Sequence, residues 1–312
     1  MKDQFSVAYK IHNAQEVATK TISSVSYSRY YTNFQNRYSK KSNVDLPVNQ
    51  KYSFIKIDSV TAKLTIYTFA MGDEKSNEHL KYVNFLDRTF IQLKMDTIKN
   101  LIVDVRQNGG GTDPNDIVTY SYLTQRNFQE NKKAWVSFKK IPLLRYYNTA
   151  VPGFIRPFGV GKFNKEFQEI FPTEENKRYY QNENSTDHKI WNANENAFTG
   201  NVYLLVSPAV ASAGSLFAAM VAGNENTTTV GEETMGGYYG HNGHSSLEYK
   251  LPKSKIVTQF SVVNLEQDVP KKESQMENRG IIPDYEVVQT YQDFLTQTDT
   301  QLNFVYDLIK QN

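Results

Sequence analysis

The chain has 312 residues, of which 39% are hydrophobic, and a formal net charge of +2 at pH 7. That length suffices for one large domain, or for one domain with a smaller appendage. The small charge and the even spread of Lys and Arg give no reason to expect nucleic acid or a membrane surface as a partner. The basic run 250–255 is interrupted by other residues and is interpreted as a solvated strand edge.

The sequence contains no cysteine, which excludes disulfides and thiolate metal sites. No apolar run approaches the ~20 residues that a membrane helix needs. The first residues lack the apolar core of a signal peptide. We therefore expect no membrane-spanning segment, and the chain fits a mature or trimmed form of an exported protein.

Residues 1–60 are predicted to form an N-terminal β segment, interpreted as the remnant of a preceding domain. Residues 5–9 and 21–27 alternate in polarity as strands do. The polar and aromatic stretch between Tyr27 and Tyr52 is predicted to be a long surface loop.

A regular pattern begins near residue 60. A strand is predicted at 62–69, a helix follows with apolar residues three or four apart between His79 and Leu93, and 101–105 is predicted to be a buried strand. After a glycine-rich loop, Asp113 and Pro114 are predicted to cap and begin a helix that runs to about Leu123.

The aromatic, Asn-rich stretch 126–200 is predicted to be an insertion of irregular loops. Regularity returns with a strand at 201–206 and a helix at 212–223. The remaining elements are strands near 228–231, 247–251 and 256–263 and a last helix over about 290–310. The alternation of strands and helices predicts an α/β core over 61–290, followed by a C-terminal helix over 291–312.

Three loops carry residue types suited to chemistry. Ser212 follows a buried strand and small residues, at the predicted start of a helix whose N-terminal amides would stabilise negative charge. The alternative is that Ser212 or Ser215 is simply an N-cap. The glycines of 108–111 expose backbone N–H groups of the kind an oxyanion hole needs, and the loop lacks the Lys-Ser/Thr of a phosphate-binding loop. The third loop, 230–244, is rich in glycine and contains His241 and His244.

Four segments together resemble the signatures of S41 serine peptidases, the C-terminal-processing and tricorn-like group. Asp104–Gly111 resembles Asp-x-Arg-x-Asn-Gly-Gly-Gly, and Ser212–Ala218 resembles the nucleophile segment. Gly231–Gly237 resembles Gly-Glu-x-Thr-x-Gly, and Gly280–Asp284 resembles the closing Gly-x-x-Pro-Asp. The segments occur in the family order over about residues 60–290.

The resemblance implies a ClpP/crotonase-like α/β fold of β-β-α units and a serine endopeptidase that needs no cofactor. Ser212 would attack the scissile carbonyl, and the amides of Ala213 and of a glycine at 109–110 would hold the oxyanion. Thr234 would shape the site beside the nucleophile. Asp104 and Arg106 would brace the glycine loop.

The sequence departs from the family pattern at two positions. Gly237 stands where the C-terminal-processing branch has its catalytic lysine, and Ser215 stands where a glutamate is common. The pattern is closer to the tricorn-like and retinoid-binding-protein-like branch, in which a histidine serves as the base. That histidine usually lies upstream in Asp-Gly-His, a tripeptide that this chain lacks.

Three explanations stay open for the missing base. An N-terminal region holding it has been removed, or His241 or His244 acts as the base, or the protein is an inactive relative that binds peptides or ligands. Each of the two histidines is also compatible with a solvent-exposed polar loop. The pair has no glutamate between its members and no cysteine nearby, so we expect no metal.

We therefore expect a serine endopeptidase that cleaves extended or unfolded polypeptides. The alternatives are a non-catalytic binding module and acyl-CoA chemistry on the same class of fold. By resemblance alone, the expected location is the periplasm or the cell surface, and the Lys-, Asn- and Tyr-rich composition suggests a bacterial source.

Overall fold

The computed structural model describes residues 3–11, 14–38, 48–148 and 156–311. Contacts divide the chain into two compact units, with the boundary between residues 45 and 46. Within the described ranges, no helix is both long enough and apolar enough to cross a bilayer.

The first unit contains an antiparallel hairpin of β1 (Gln4–Tyr9) and β2 (Ala18–Ser23), followed by α1 (Tyr27–Tyr38). The loop predicted between Tyr27 and Tyr52 is wrong over α1. Tyr27 stacks on Tyr31, with ring centroids 6.4 Å apart, and Tyr30 lies against Phe34. Aromatic pairs four residues apart favour a helix, so this spacing is the feature of the sequence that indicates α1. The rest of that prediction, at 39–47, lies outside the described residues.

The second unit combines strands and helices throughout its length. Its strands are β3 (Tyr52–Lys56), β4 (Thr61–Ile66), β5 (Asn100–Asp104), β6 (Asn131–Val136), β7 (Thr173–Glu175), β8 (Arg178–Tyr180), β9 (Asn201–Val206), β10 (Thr227–Gly231), β11 (Ser246–Lys250), β12 (Val257–Ser261), β13 (Asn264–Gln267) and β14 (Tyr285–Glu286). Its helices are α2 (Val48–Lys51), α3 (Asn77–Met95), α4 (Asn115–Ser121), α5 (Arg156–Ile170), α6 (Ala213–Ala222), α7 (Tyr291–Thr296) and α8 (Thr300–Gln311).

The central sheet has six strands in the order β14–β10–β9–β5–β4–β3. The strands from β4 to β14 run parallel to their neighbours, and β3 is antiparallel to β4. Parallel neighbours end at the same edge of a sheet. The loops that follow β5 and β9 therefore emerge side by side, which places two of the three predicted site loops together.

Both faces of this sheet are buried, as expected for parallel strands with helices on either side. Side chains alternate along β5 and β9. Leu101 and Val103 of β5 join the large core that includes α3, α4 and α6, whereas Ile102 packs on the opposite face with Val305 of α8. The predicted α/β class is confirmed.

The stretch predicted to be irregular, 126–200, contains regular structure. Strands β6, β7 and β8 form a four-stranded sheet with β13, in the order β13–β6–β8–β7, and β6 is the strand that pairs with β13. Helix α5 adds a small aromatic core in which Phe167 stacks on Phe138 and Phe163. The strands were missed because they are short and because β13, a partner of β6, lies far along the chain. Residues 149–155 of this stretch lie outside the described residues.

Two predicted helix boundaries are wrong. The single C-terminal helix is divided between α7 and α8, because Gln297 adopts a left-handed conformation with φ 55° and Asp299 Oδ1 accepts from the Leu302 amide at the start of α8. No glycine or proline marks this break in the sequence. Helix α4 begins at Asn115 with Pro114 at the N-cap position, rather than with Asp113 as cap.

Candidate active site

Ser212 lies between β9 and α6 in a backbone conformation that is unusual for a residue with a side chain, with φ 52° and ψ −136°. Holding a residue in a sparsely populated region costs about 1–3 kcal/mol, and such residues cluster at active sites. Ser212 occupies the N-cap position of α6, yet its side chain makes no capping hydrogen bond. The Ser215 hydroxyl instead donates to the Ser212 carbonyl at 2.8 Å. Neither serine side chain makes a capping hydrogen bond to α6, so the interpretation of Ser212 or Ser215 as simply an N-cap is wrong.

The glycine loop after β5 lies directly against Ser212. Gly110 has φ +111°, and a Cβ at this position would lie 2.6 Å from Ser212 Cβ and 3.1 Å from its Oγ. The Asn108 carbonyl accepts from the Ala211 amide at 3.3 Å, and a Cβ at Gly214 would lie 2.4 Å from the same oxygen. Only glycine at positions 110 and 214 permits the two loops to approach this closely.

Two backbone amides beside Ser212 are candidates for an oxyanion hole. The N–H groups of Gly109 and Ala213 donate to no acceptor among the described residues. The Gly110 amide, by contrast, donates to Asn108 Oδ1 at 2.9 Å. Of the two glycine amides predicted as oxyanion donors, only that of Gly109 is therefore available to an oxyanion. Its neighbourhood is open, since a Cβ there would meet only the Ala209 carbonyl, at 3.9 Å.

Arg106 braces the base of the glycine loop. Its guanidinium bonds the Asp104 carboxylate at 2.7 Å and 2.9 Å, and it also reaches Asp299 at the start of α8 at 2.7 Å. The Arg106 carbonyl accepts from the Ser207 hydroxyl at 2.6 Å. These bonds fix the loops after β5 and β9 relative to one another. The expected Asp104–Arg106 pair is present, and Asp299 is a further partner.

The third predicted loop, 230–244, follows β10, and its first part, 231–237, packs along the nucleophile segment. The amides of Met235 and Gly236 both donate to the Val210 carbonyl. Thr234 is buried, and its hydroxyl donates to the Gly236 carbonyl at 2.7 Å and accepts from the Ile281 amide at 2.8 Å. Thr234 therefore ties this loop to the 280–284 segment, and its hydroxyl is engaged in both of these hydrogen bonds.

Gly237 pairs with Gly280 through an isolated bridge. A Cβ at Gly237 would lie 2.4 Å from the Gly240 carbonyl oxygen. A lysine at this position would therefore require the following loop to move. The geometry agrees with the absence of a Ser-Lys dyad.

His241 and His244 lie in the last part of this loop, in different environments. His244 Nε2 lies 3.3 Å from Asp187 Oδ2, and its Nδ1 lies 2.8 Å from the Ser245 hydroxyl. His241 Nδ1 accepts from the Gly243 amide at 3.3 Å, while its Nε2 is buried without a hydrogen-bond partner. Burial, followed by the charge of His244, lowers the pKa of His241 to about 4. His241 is therefore neutral at pH 7 and a weak base.

No described side chain makes a hydrogen bond with Ser212 Oγ. The structure brings Ser212, Gly109, Gly110 and Ala213 together, but neither His241 nor His244 is bonded to the nucleophile. Other histidines have structural roles: His79 bonds Asn115 Oδ1 at 2.9 Å, and His188 bonds the Asn131 carbonyl at 2.9 Å. His12 lies outside the described residues.

Sequence reasoning missed a group of coupled carboxyl groups near the glycine loop. Burial, followed by the charge of Asp113, raises the pKa of Asp116 to about 8. Burial, followed by the charges of Asp116 and Asp113, raises the pKa of Glu130 to about 8. The hydrogen bond with His244 lowers the pKa of Asp187 to about 2. Burial, followed by the charge of Asp187, raises the pKa of Asp113. The His244–Asp187 pair thus shares an electrostatic environment with the residues that follow Gly111.

The fold of this chain is similar to that of solved peptidase structures. A solved structure of a putative peptidase from Parabacteroides merdae superposes with a TM-score of 0.51 at 18% identity, over 86% of this chain and 69% of its own. Mature CPAF complexed with lactacystin superposes with a TM-score of 0.51 at 14% identity, over 95% of this chain and 66% of its own. The chain thus spans about two thirds of the length of these neighbours. No curated protein sequence matches the chain significantly.

The family comparison covers the region in which the site lies. The model of peptidase family S41 matches residues 60–287, which include the glycine loop, Ser212 and the 231–237 loop. The two solved neighbours share the α/β fold of this chain. The chain belongs to peptidase family S41.

Proposed function

We propose that this protein is a serine endopeptidase that cleaves extended or unfolded polypeptides through Ser212. The observation that carries the proposal is the conformation of Ser212, held at positive φ with its hydroxyl free of any capping bond, beside two unbonded amides. Strain of this kind persists only where the surrounding structure imposes it. By family analogy, the proposed setting is the periplasm or the cell surface.

The proposed chemistry follows from the positions of these groups. Ser212 Oγ attacks the carbonyl carbon of the scissile bond, and its proton passes to a general base. The carbonyl oxygen becomes an oxyanion that accepts hydrogen bonds from the amides of Gly109 and Ala213. Collapse of the intermediate expels the amine, which takes a proton from the base. Water then hydrolyses the acyl-enzyme by the same steps.

The proposal has two candidate sources for the base, His244 and a residue outside this sequence. Asp187 holds the His244 ring, and its charge acts on Asp113, two residues after Gly111. His244 would have to turn from Asp187 and Ser245 toward Ser212 when substrate binds. His241 is the weaker candidate because its pKa is about 4.

Hydrolysis of fluorescently labelled, unfolded casein tests the proposal. With His244 as the base, we expect the unsubstituted chain to cleave casein, Ser212→Ala to abolish cleavage, and Ser53→Ala, on an exposed strand position, to retain it. If His244 is the base, His244→Ala should lower the rate by about 10²–10⁴-fold. Full activity of His244→Ala would assign the base elsewhere. Equal cleavage by Ser212→Ala would contradict the proposal.

A second candidate function is a non-catalytic polypeptide-binding protein. It is favoured by the lack of any described side chain bonded to Ser212 Oγ and by Gly237 at the lysine position. On this account the unsubstituted chain binds unfolded casein without cleaving it. Ser212→Ala would then bind with unchanged affinity.

A further inference from the structure

The β11–β12 hairpin and the segment Pro142–Tyr146 enclose a cavity of about 500 Å³. Its walls are almost wholly apolar, and they contain none of the residues around Ser212. Several wall side chains remain accessible to solvent, among them Leu143, Leu251 and Phe260. The cavity is therefore an open apolar depression on the second unit.

Strand β12 forms one side of this cavity and has a free edge. The Leu251 amide donates to the Ile256 carbonyl, and the Val262 amide donates to the Ser245 carbonyl. These two bonds show which residues of the antiparallel pair direct their main-chain groups toward the partner strand, since such residues alternate along each strand. By that alternation, the main chain of Thr258 and Phe260 bonds to β11. The amides and carbonyls of Val257, Gln259 and Ser261 point away, and no described residue pairs with them.

The outer edge of β11 is already covered. The Asn148 amide donates to the Glu248 carbonyl at 2.8 Å, and Tyr147 bridges to Tyr249. Only β12 can therefore accept another strand within the described part of this hairpin. Thr258 and Phe260 project into the cavity. A strand added beside β12 would place every second side chain over the same cavity.

The two chain segments that form the cavity are basic. Residues 137–148 and 245–262 contain six cationic side chains and one carboxylate, whereas the whole chain has a net charge of only +2. The carboxylate, Glu248, is bonded to the Asn148 side chain. All six cations are exposed, and none forms an ion pair with a described residue: Lys139, Lys140, Arg145, Lys250, Lys253 and Lys255.

We propose that this depression docks an extended polypeptide segment in which a large apolar side chain is flanked by acidic residues. The segment adds to the free edge of β12, the apolar side chain enters the cavity, and the acidic residues face the exposed cations of these two basic segments. The inference rests on the proposed function, because it assigns a substrate class to that peptidase and a docking site apart from Ser212.

Binding is tested with Ser212→Ala protein, so that cleavage cannot intervene, and with the fluorescein-labelled peptide Asp-Glu-Val-Phe-Thr-Glu-Asp. Fluorescence anisotropy is expected to show saturable binding that weakens with added salt. Replacing the peptide's phenylalanine with serine, or its acidic residues with lysine, should each weaken binding about tenfold or more.

Two substitutions in the chain test the geometry. Gln259→Pro removes one outward amide without removing a ladder bond, and edge strands tolerate proline there. Phe260→Glu places a negative charge in the cavity wall. Each should weaken binding about tenfold, whereas the matched controls Gln259→Thr and Phe260→Leu should change it less than about threefold. Circular dichroism checks that every variant is folded.

Undiminished binding by folded Gln259→Pro and Phe260→Glu would overturn the inference. Equal affinity for the serine peptide would do the same, because it would indicate attraction by charge alone. Self-association of the chain through this face, measured by sedimentation and not competed by the peptide, would also overturn it. Since binding is measured without catalysis, peptide docking can succeed or fail independently of Ser212 reactivity.

Discussion

Replacement of Gly110 by alanine is expected to lower the reactivity of Ser212 by about 100-fold or more. The added Cβ would lie 2.6 Å from Ser212 Cβ, and Gly110 has φ +111°, a conformation that side chains rarely adopt. The glycine loop must therefore withdraw from the nucleophile and carry the Gly109 amide with it. The loss of one oxyanion donor alone typically costs a factor of about 10²–10³.

The matched control is Gly109→Ala, one residue earlier in the same loop. A Cβ at Gly109 meets only the Ala209 carbonyl at 3.9 Å, and the substitution keeps the backbone amide. We expect this variant to retain reactivity within about threefold. Casein cleavage and urea unfolding of both variants separate loss of the site from loss of the fold. Equal rates for Gly110→Ala and Gly109→Ala would contradict the proposed contact.

Asp116→Asn is expected to stabilise the protein at pH 8 by about 3–5 kcal/mol. Both carboxylate oxygens of Asp116 are buried without a hydrogen-bond partner, and burial raises its pKa from 3.8 to about 8. Between pH 3.8 and pH 8 the unfolded chain binds fewer protons at this group than the folded chain. The free energy of unfolding therefore falls as the pH rises through this window, and asparagine removes that dependence.

Urea unfolding at pH 4, 6 and 8 measures this effect. The gain from Asp116→Asn should be close to zero at pH 4 and should increase with each step. Asp307→Asn, at an exposed position on α8 bonded to Lys310, should change stability by less than about 0.5 kcal/mol at every pH. A destabilised Asp116→Asn variant, or a gain that does not vary with pH, would show that the carboxyl group is not held neutral by burial.

Local patterns in the sequence predicted the part of the fold that positions the nucleophile. The apolar runs of β5 and β9 are clear signals because these strands are buried along almost their whole length. The helical spacing of α3 is a clear signal because one face of that helix is buried. Family motifs then brought Ser212 and the glycine loop together. Their contact through Gly110 explains why the motif has a glycine at that position, which spacing alone did not show.

Other features depend on contacts between distant residues and left no local pattern. Asp187 lies in a stretch predicted to be irregular. Only the folded chain brings it to His244 and close enough for its charge to act on Asp113. Asp116 looked like an ordinary residue of a first helical turn until the structure showed it to be fully buried. The aromatic spacing in α1 was visible in the sequence, but its polar surroundings favoured a loop.

The central claim is that Ser212 is an activated nucleophile. Its most direct test is labelling of the chain by a fluorophosphonate probe, read by intact mass and by peptide mapping. We expect one adduct, on Ser212, that is absent from Ser212→Ala and retained in Ser215→Ala if that variant folds. An unlabelled chain, or a label that persists in Ser212→Ala, would contradict the claim.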